Sequence, residues 1–267
     1  MVTFASYSHA GRVHHDTEDS IGVDAPRGIW LVADGMGGHA SGEVASGIVR
    51  DTIMSRKELP LIQAVSAAHD AVTAAGNSDD ERNRGMGSTV VALALRRGAG
   101  EIVWVGDSRA YLWRRGVVRR LSRDHSYVEL LRDSQGITEA EIRVHPQRNL
   151  VTQTLGIGAA VPSSASLELR ANDWLLLCSD GLNDELDDDE IAAYLRRSNT
   201  PDDAVVTLVN AALAKGGRDN VSVVIVAIGR DDVPNRWREL RSRSWFPAMV
   251  GVIGALVLGS LLLFYLR

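Results

Sequence analysis

The chain has 267 residues, 45% of them apolar, and a formal net charge of -5. That is enough material for one large core or two small ones, and the charge gives no general attraction to nucleic acid. A single cysteine, Cys178 in the apolar run WLLLCSDG, excludes an internal disulfide framework and points to a reducing compartment, with the thiol packed in the core.

In chain order, MVTFASYSHAG has neither a basic start nor an apolar stretch, so no signal peptide is expected. GIWLVAD (28–34) reads as a strand that ends on Asp34 and leads into the glycine-rich GMGGHASG. That loop has no Lys-Ser/Thr pair of a Walker motif and lacks the spacing of a dinucleotide fingerprint. A helix is expected from Ser41 or Gly42 through EVASGIVRDTIMSR, and a second over LPLIQAVSAAHDAVTAAG up to Gly76. SDDERNRGMG reads as a loop, followed by strands at STVVALAL, EIVWVGD and AYLWRR. Residues 126–150 hold helical stretches broken at SQGIT and VHPQRN, an excursion that could shape a substrate site. Strands follow at DWLLLCSD and NVSVVIVAIG. The acidic LNDELDDDE lacks the ligand spacing of an EF-hand and suits the start of the helix EIAAYLRR. Helices among many strands predict an α+β sandwich.

The C-terminal part divides differently. FPAMVGVIGALVLGSLLLFYL (246–266) is uncharged and long enough to span a bilayer. Arg236, Arg238, Arg241 and Arg243 precede it and only Arg267 follows, which predicts a single-pass anchor with the N-terminal part on the cytoplasmic side of the inner membrane. The basic approach could also touch anionic lipid heads. Gly251, Ala255 and Gly259 form a small-residue stripe on which two such helices could pack as a dimer. The expected organisation is a domain over 1–230 with a flap at 126–150, a basic linker over 231–245 and a transmembrane helix over 246–266.

Asp34, Asp107 and Asp180 each close an apolar run beside a glycine, and Asp219 precedes one. Strand ends gather at one edge of a sandwich, so these carboxylates are expected to share a cleft, where their repulsion calls for divalent cations. An all-oxygen ligand set favours Mg²⁺ or Mn²⁺ over zinc. Two such ions about 3.5 to 4 Å apart could hold a hydroxide and clamp phosphate oxygens.

TED, ADGMGGHASGEVAS, GSTVV, VGDSRAYLWRRG, LSRDHS, HPQRNLVTQTLG, CSDGLNDEL and GGRDNVSVV occur in that order over roughly residues 8–228. The set resembles the PP2C (PPM) family of metal-dependent protein serine/threonine phosphatases, in its bacterial form. The resemblance implies a four-layer α-β-β-α sandwich of two antiparallel sheets flanked by helices. It implies dephosphorylation of phosphoserine and phosphothreonine in cytoplasmic proteins, among them a bacterial Ser/Thr kinase, by direct attack of a water or hydroxide bridging two ions. Carried over, Asp34 would bridge both ions and the Gly35 carbonyl would complete the first site. Asp180 and Asp219 would hold the second, Glu18 and Asp19 would orient its waters, and Asp107 would serve a weaker third ion. Gly35, Gly37 and Gly38 would turn the chain around metal-bound water.

Two departures from the family pattern stand out. His14 occupies the place of a phosphate-gripping arginine, and Thr17 that of an asparagine. His14 could donate to phosphate without arginine's fork, and Arg12 could substitute if the segment is extended enough to put both on one face. Met36 stands where animal relatives carry a histidine that protonates the leaving alcohol, and His39 is a candidate replacement. His125 borders the flap and is read as structural. The competing classes are a membrane-tethered pseudophosphatase that binds phosphoprotein without hydrolysis, and a metal phosphodiesterase, which the lack of a base-stacking groove disfavours.

Overall fold

A computed structural model of the chain describes residues 2–37, 41–96 and 99–232. Residues 233–245 of the expected linker, the apolar run 246–266, the Gly251/Ala255/Gly259 stripe, Gly38 and His39 lie outside the described residues. No helix among the described residues is long and apolar enough to cross a membrane.

The strands are β1 (Thr3–His9), β2 (Asp19–Asp24), β3 (Ile29–Met36), β4 (Gly87–Ser88), β5 (Val90–Arg96), β6 (Ala99–Val105), β7 (Arg109–Arg114), β8 (Val117–Arg120), β9 (Ser163–Glu168), β10 (Trp174–Cys178) and β11 (Val221–Ala227). The helices are α1 (Ser41–Ser55), α2 (Leu61–Gly76), α3 (Tyr127–Gln135), α4 (Glu139–Val144), α5 (Asp180–Asn183), α6 (Asp188–Arg197) and α7 (Pro201–Lys215). One sheet runs β1-β11-β10-β7-β8 and the other β2-β3-β5-β6-β9, with β4 paired to β3. Every strand pairing is antiparallel.

The residues explain the layering. Trp30 and Val32 of β3, Val91 and Leu93 of β5, and Val224 and Val226 of β11 fill the space between the sheets. Their neighbours Leu31, Ala33, Val90 and Ala92 turn the other way, under Val49, Ile53, Val65 and Val72 of α1 and α2. On the far side, Val223 and Ile225 pack with Ile191, Leu195, Leu208 and Val209 of α6 and α7. Strands buried on both faces need apolar residues at every position, hence the unbroken runs rather than alternation. Cys178 belongs to this core, and burial pushes its thiol up to about 12, which leaves it inert.

Helix α6 starts at the acidic run as expected. Asp187 Oδ1 accepts from Glu190 N at 2.9 Å and Glu190 Oε2 accepts from Asp187 N at 3.0 Å, a reciprocal capping box. Asp187→Ala is expected to cost about 1 kcal/mol, read as a melting temperature lowered by about 2–4 °C. The largest element that the sequence reading missed is α7. Thr200 caps it, Pro201 fills its first turn and Asp202 and Asp203 follow, all ordinary start signals.

A candidate metal centre at the mouth of the sandwich

The end of β3, the start of β2, the turns after β6 and β10 and the turn before β11 all meet at one end of the sandwich. The sequence predicts a strand that ends on Asp34, but β3 continues to Met36, and Asp34 lies directly opposite Asp19 of β2. Asp34 shares the parity of Trp30 and Val32, so both carboxylates face the gap between the sheets where its packing stops. Like charges facing one another across a pair of strands are destabilising in themselves. Asp180 opens the single turn of α5 instead of merely closing β10. Asp107 sits in the turn after β6, and Asp219 stands exposed before β11.

The electrostatics show that these groups share one space. Burial, then the charges of Asp19, Asp180, Asp107 and Asp219, hold the Asp34 carboxyl well above the usual range. Burial, then Asp107, Asp184, Asp219 and Asp19, do the same to Asp180. Asp19 is raised to about 6 and Asp107 to about 7, burial being the main cause in each. Glu18 is raised as well, again mainly by burial, with His14 opposing and Asp219 and Glu43 adding. Five segments distant in the chain thus deliver carboxylates whose charges resist one another.

Two oxygens fix what this space lacks. Asp180 Oδ1 and Asp19 Oδ1 are enclosed and have no hydrogen-bond partner. A buried carboxylate oxygen without a donor is costly, and a hard cation satisfies it without a proton. The other Asp19 oxygen accepts from Ser179 Oγ at 2.8 Å, which fixes the carboxylate's direction. Among the described residues no group of three His, Cys, Asp or Glu side chains is arranged to hold an ion unaided. A set completed by a backbone carbonyl and water, as octahedral Mg²⁺ or Mn²⁺ accepts, needs fewer side chains per ion, and the donors present fit it.

The backbone at Gly35 is shaped for close approach. A Cβ there would stand 1.9 Å from Gly42 O and 2.7 Å from Glu18 O, so β3, the start of α1 and the segment before β2 touch through bare backbone. Gly35 N donates to Glu18 O at 3.2 Å. Residues given no role in the sequence reading support this arrangement. Thr89 N donates to Asp34 O at 2.8 Å, Ser88 Oγ donates to the same oxygen at 3.0 Å, and Thr89 Oγ1 accepts from Asp34 N at 3.2 Å. Asn220 Oδ1 accepts from Glu18 N at 2.6 Å, while its amide donates to Ala10 O and Asp16 O at 3.0 and 3.2 Å. One buried asparagine therefore closes the whole 10–18 loop onto Asp219. The motifs GSTVV and GGRDNVSVV contained these residues but carried no hint of which backbone groups they would meet.

Arg12 and His14 do not lie on an extended segment. The chain turns at 11–13, with Arg12 N donating to Gly217 O at 2.7 Å, so strand alternation does not set their faces. His14 is exposed, with Nε2 3.7 Å from Asp219 Oδ1, at the edge of the acidic mouth.

Residues 6–216 match the family described as Protein phosphatase 2C. The chain belongs to the protein phosphatase 2C family. It is 35% identical over 235 residues to the serine/threonine protein phosphatase PstP of Mycobacterium tuberculosis, covering 85% of this chain but only 45% of that relative's length. It is 33% identical over 233 residues to the serine/threonine phosphatase stp of Listeria monocytogenes, covering 81% of this chain and 92% of that protein. A crystal structure of the PstP catalytic domain in complex with two manganese ions superposes with a TM-score of 0.77 at 33% identity, over 85% of this chain and 98% of that one. That solved structure shares the two-sheet sandwich described above.

Proposed function

We propose that the chain is a metal-dependent phosphatase acting on phosphoserine and phosphothreonine in proteins. The observation that carries this reading is the acidic mouth itself, where Asp19, Asp34, Asp107 and Asp180 converge and two carboxylate oxygens lack any donor. Asp34, the Gly35 carbonyl, Asp180 and Asp219 would hold Mn²⁺ or Mg²⁺, with Asp107 toward a further ion. Two such ions lower the pKa of water to a reactive range and offset charge on the phosphoryl oxygens. Glu18 and Asp19 would accept hydrogen bonds from water at this mouth, Asp19 being aimed by Ser179. His14 donates to the substrate phosphate from the rim. The relatives' names and the manganese complex support an active enzyme over a binding-only pseudophosphatase.

The proposed domain spans 1–230, with the flap over 126–150. The finer reading, drawn from sequence alone, adds a basic linker over 231–245 and a 246–266 anchor that holds the catalytic part on the cytoplasmic face of the inner membrane. A kinase partner and pairing through Gly251, Ala255 and Gly259 are part of the same reading. Fractionation of cells tests the anchor: recovery of the full chain in the soluble fraction overturns it.

For the activity, release of phosphate from a phosphothreonine peptide is measured with Mn²⁺ and with a chelator. Release is expected only with the metal; release that persists in chelator sinks the reading. In the same assay, His14→Ala is expected to raise KM about tenfold with kcat little changed, the effect of losing one hydrogen bond to a charged group. An unchanged KM would remove His14 from the phosphate site.

A further inference from the structure

His125 makes more contacts across the fold than a loop histidine needs. Its Nδ1 accepts from Gly106 N at 3.3 Å, and its own backbone N donates to Gly106 O at 2.9 Å. Gly106 has φ +101, and a Cβ there would stand 2.7 Å from Thr89, the residue that brackets Asp34. The turn carrying Asp107 is thus clasped from both sides. At its other nitrogen, His125 Nε2 lies 3.0 Å from Ser163 Oγ at the start of β9. Because an amide N–H can only donate, Nδ1 must accept and the ring proton must sit on Nε2.

The backbone of the same residue closes the root of the flap. Thr152 N donates to His125 O at 2.7 Å, Tyr127 N donates to Leu150 O at 2.8 Å, and Ser126 bridges Val151 between them. The two ends of the 126–150 excursion are therefore zipped together at the residue whose imidazole holds the Asp107 turn. Trp104 flanks the ring, with centroids 6.3 Å apart and planes 31° from parallel.

From this geometry we infer that His125 is a positioning residue that ties the flap's root to the Gly106–Asp107 turn, so that one imidazole sets the aim of Asp107 and the seat of the flap together. The inference rests on the reading above that Asp107 serves the metal centre.

Two substitutions separate this role from simple packing, since an asparagine oxygen takes the place of Nδ1 whereas a glutamine amide takes the place of Nε2. In the full chain, His125→Asn is expected to keep Mn²⁺ binding by calorimetry near wild type. His125→Gln leaves the Gly106 N–H unpaired and should weaken the weakest Mn²⁺ step about tenfold, as Asp107→Asn should. Long-range proton–nitrogen spectra of the wild-type imidazole should show the proton on Nε2. Equal loss, or no loss, in the Asn and Gln variants overturns the inference while Asp107→Asn still weakens binding. A proton found on Nδ1 overturns it as well. If Asp107→Asn itself changes nothing, the assignment of Asp107 fails and takes this inference with it.

Discussion

Asp180→Asn is expected to abolish phosphatase activity and, at the same time, to make the metal-free protein more stable. The two effects come from one cause. Asp180 is held well above the usual carboxylate range by burial and by Asp107, Asp184, Asp219 and Asp19, and its enclosed Oδ1 has no donor. At neutral pH, without a cation, the fold carries that repulsion as a cost. An amide of the same shape removes the charge, so the metal-free variant should melt higher than the parent, by about 2–4 °C per kcal/mol relieved. The same change removes a proposed ligand. Loss of a partner one shell further out typically costs 10–100-fold, so kcat should fall by at least about 100-fold. The Mn²⁺-dependent rise in melting temperature should shrink with it. Calorimetric melting of parent and variant, each with chelator and with Mn²⁺, reads all of this. A variant that melts lower than the parent in chelator would show that Asp180 is stabilised by its neighbours, against the electrostatics described here.

How much of this was legible in the sequence depends on what each residue does. Strands β3, β5, β6, β10 and β11 were readable because burial on two faces leaves an unbroken apolar run. Strands β1 and β9 were not: TFASYSH and SSASLE bury little of their length, and their assignment comes from pairing with β11 and β6 rather than from any pattern of their own. VVRR, the four-residue β8, is an edge partner of β7 and shares that problem. The aspartates were readable because a charge at the end of an apolar run is conspicuous. Ser88, Thr89 and Asn220 were missed as working parts, since their task is to meet backbone groups brought close only by the tertiary fold. Asp124 is similar: it receives Arg109 through both Nε and Nη2, the latter at 2.8 Å, and also pairs with Arg120. An isolated RDH triplet gives no sign of a twofold-occupied carboxylate. At Arg12 a shared face with His14 was conditional on an extended segment, and the chain turns at 11–13 instead.

In the absence of metal, stability should fall as the pH rises from about 4 to about 7, the reverse of ordinary acid denaturation. Asp19 moves from 3.8 to about 6 and Asp107 from 3.8 to about 7 on folding, both chiefly through burial. Between those limits these two carboxyls bind more protons in the folded chain than in the unfolded one, so through them raising the pH favours unfolding, against the opposing contribution of His125, lowered by burial. Both groups therefore cost stability by neutral pH, and Asp34 and Asp180 act in the same direction. Carboxylates with lowered values, such as Glu185 beside Arg218 and Asp187 at its cap, gain their stability chiefly below about pH 5 and do not offset the trend above it. Saturating Mn²⁺ should reverse it, because the ions bind the deprotonated carboxylates and compete with protons. At about 100 times its dissociation constant, one bound ion contributes about 2.7 kcal/mol. Melting temperatures at pH 5, 6, 7 and 8 should therefore fall in chelator and hold or rise in Mn²⁺, with the gap widening at each step. Curves that stay parallel would mean that the carboxylates at the mouth do not share their space with a cation, and the metal centre would have to be sought elsewhere.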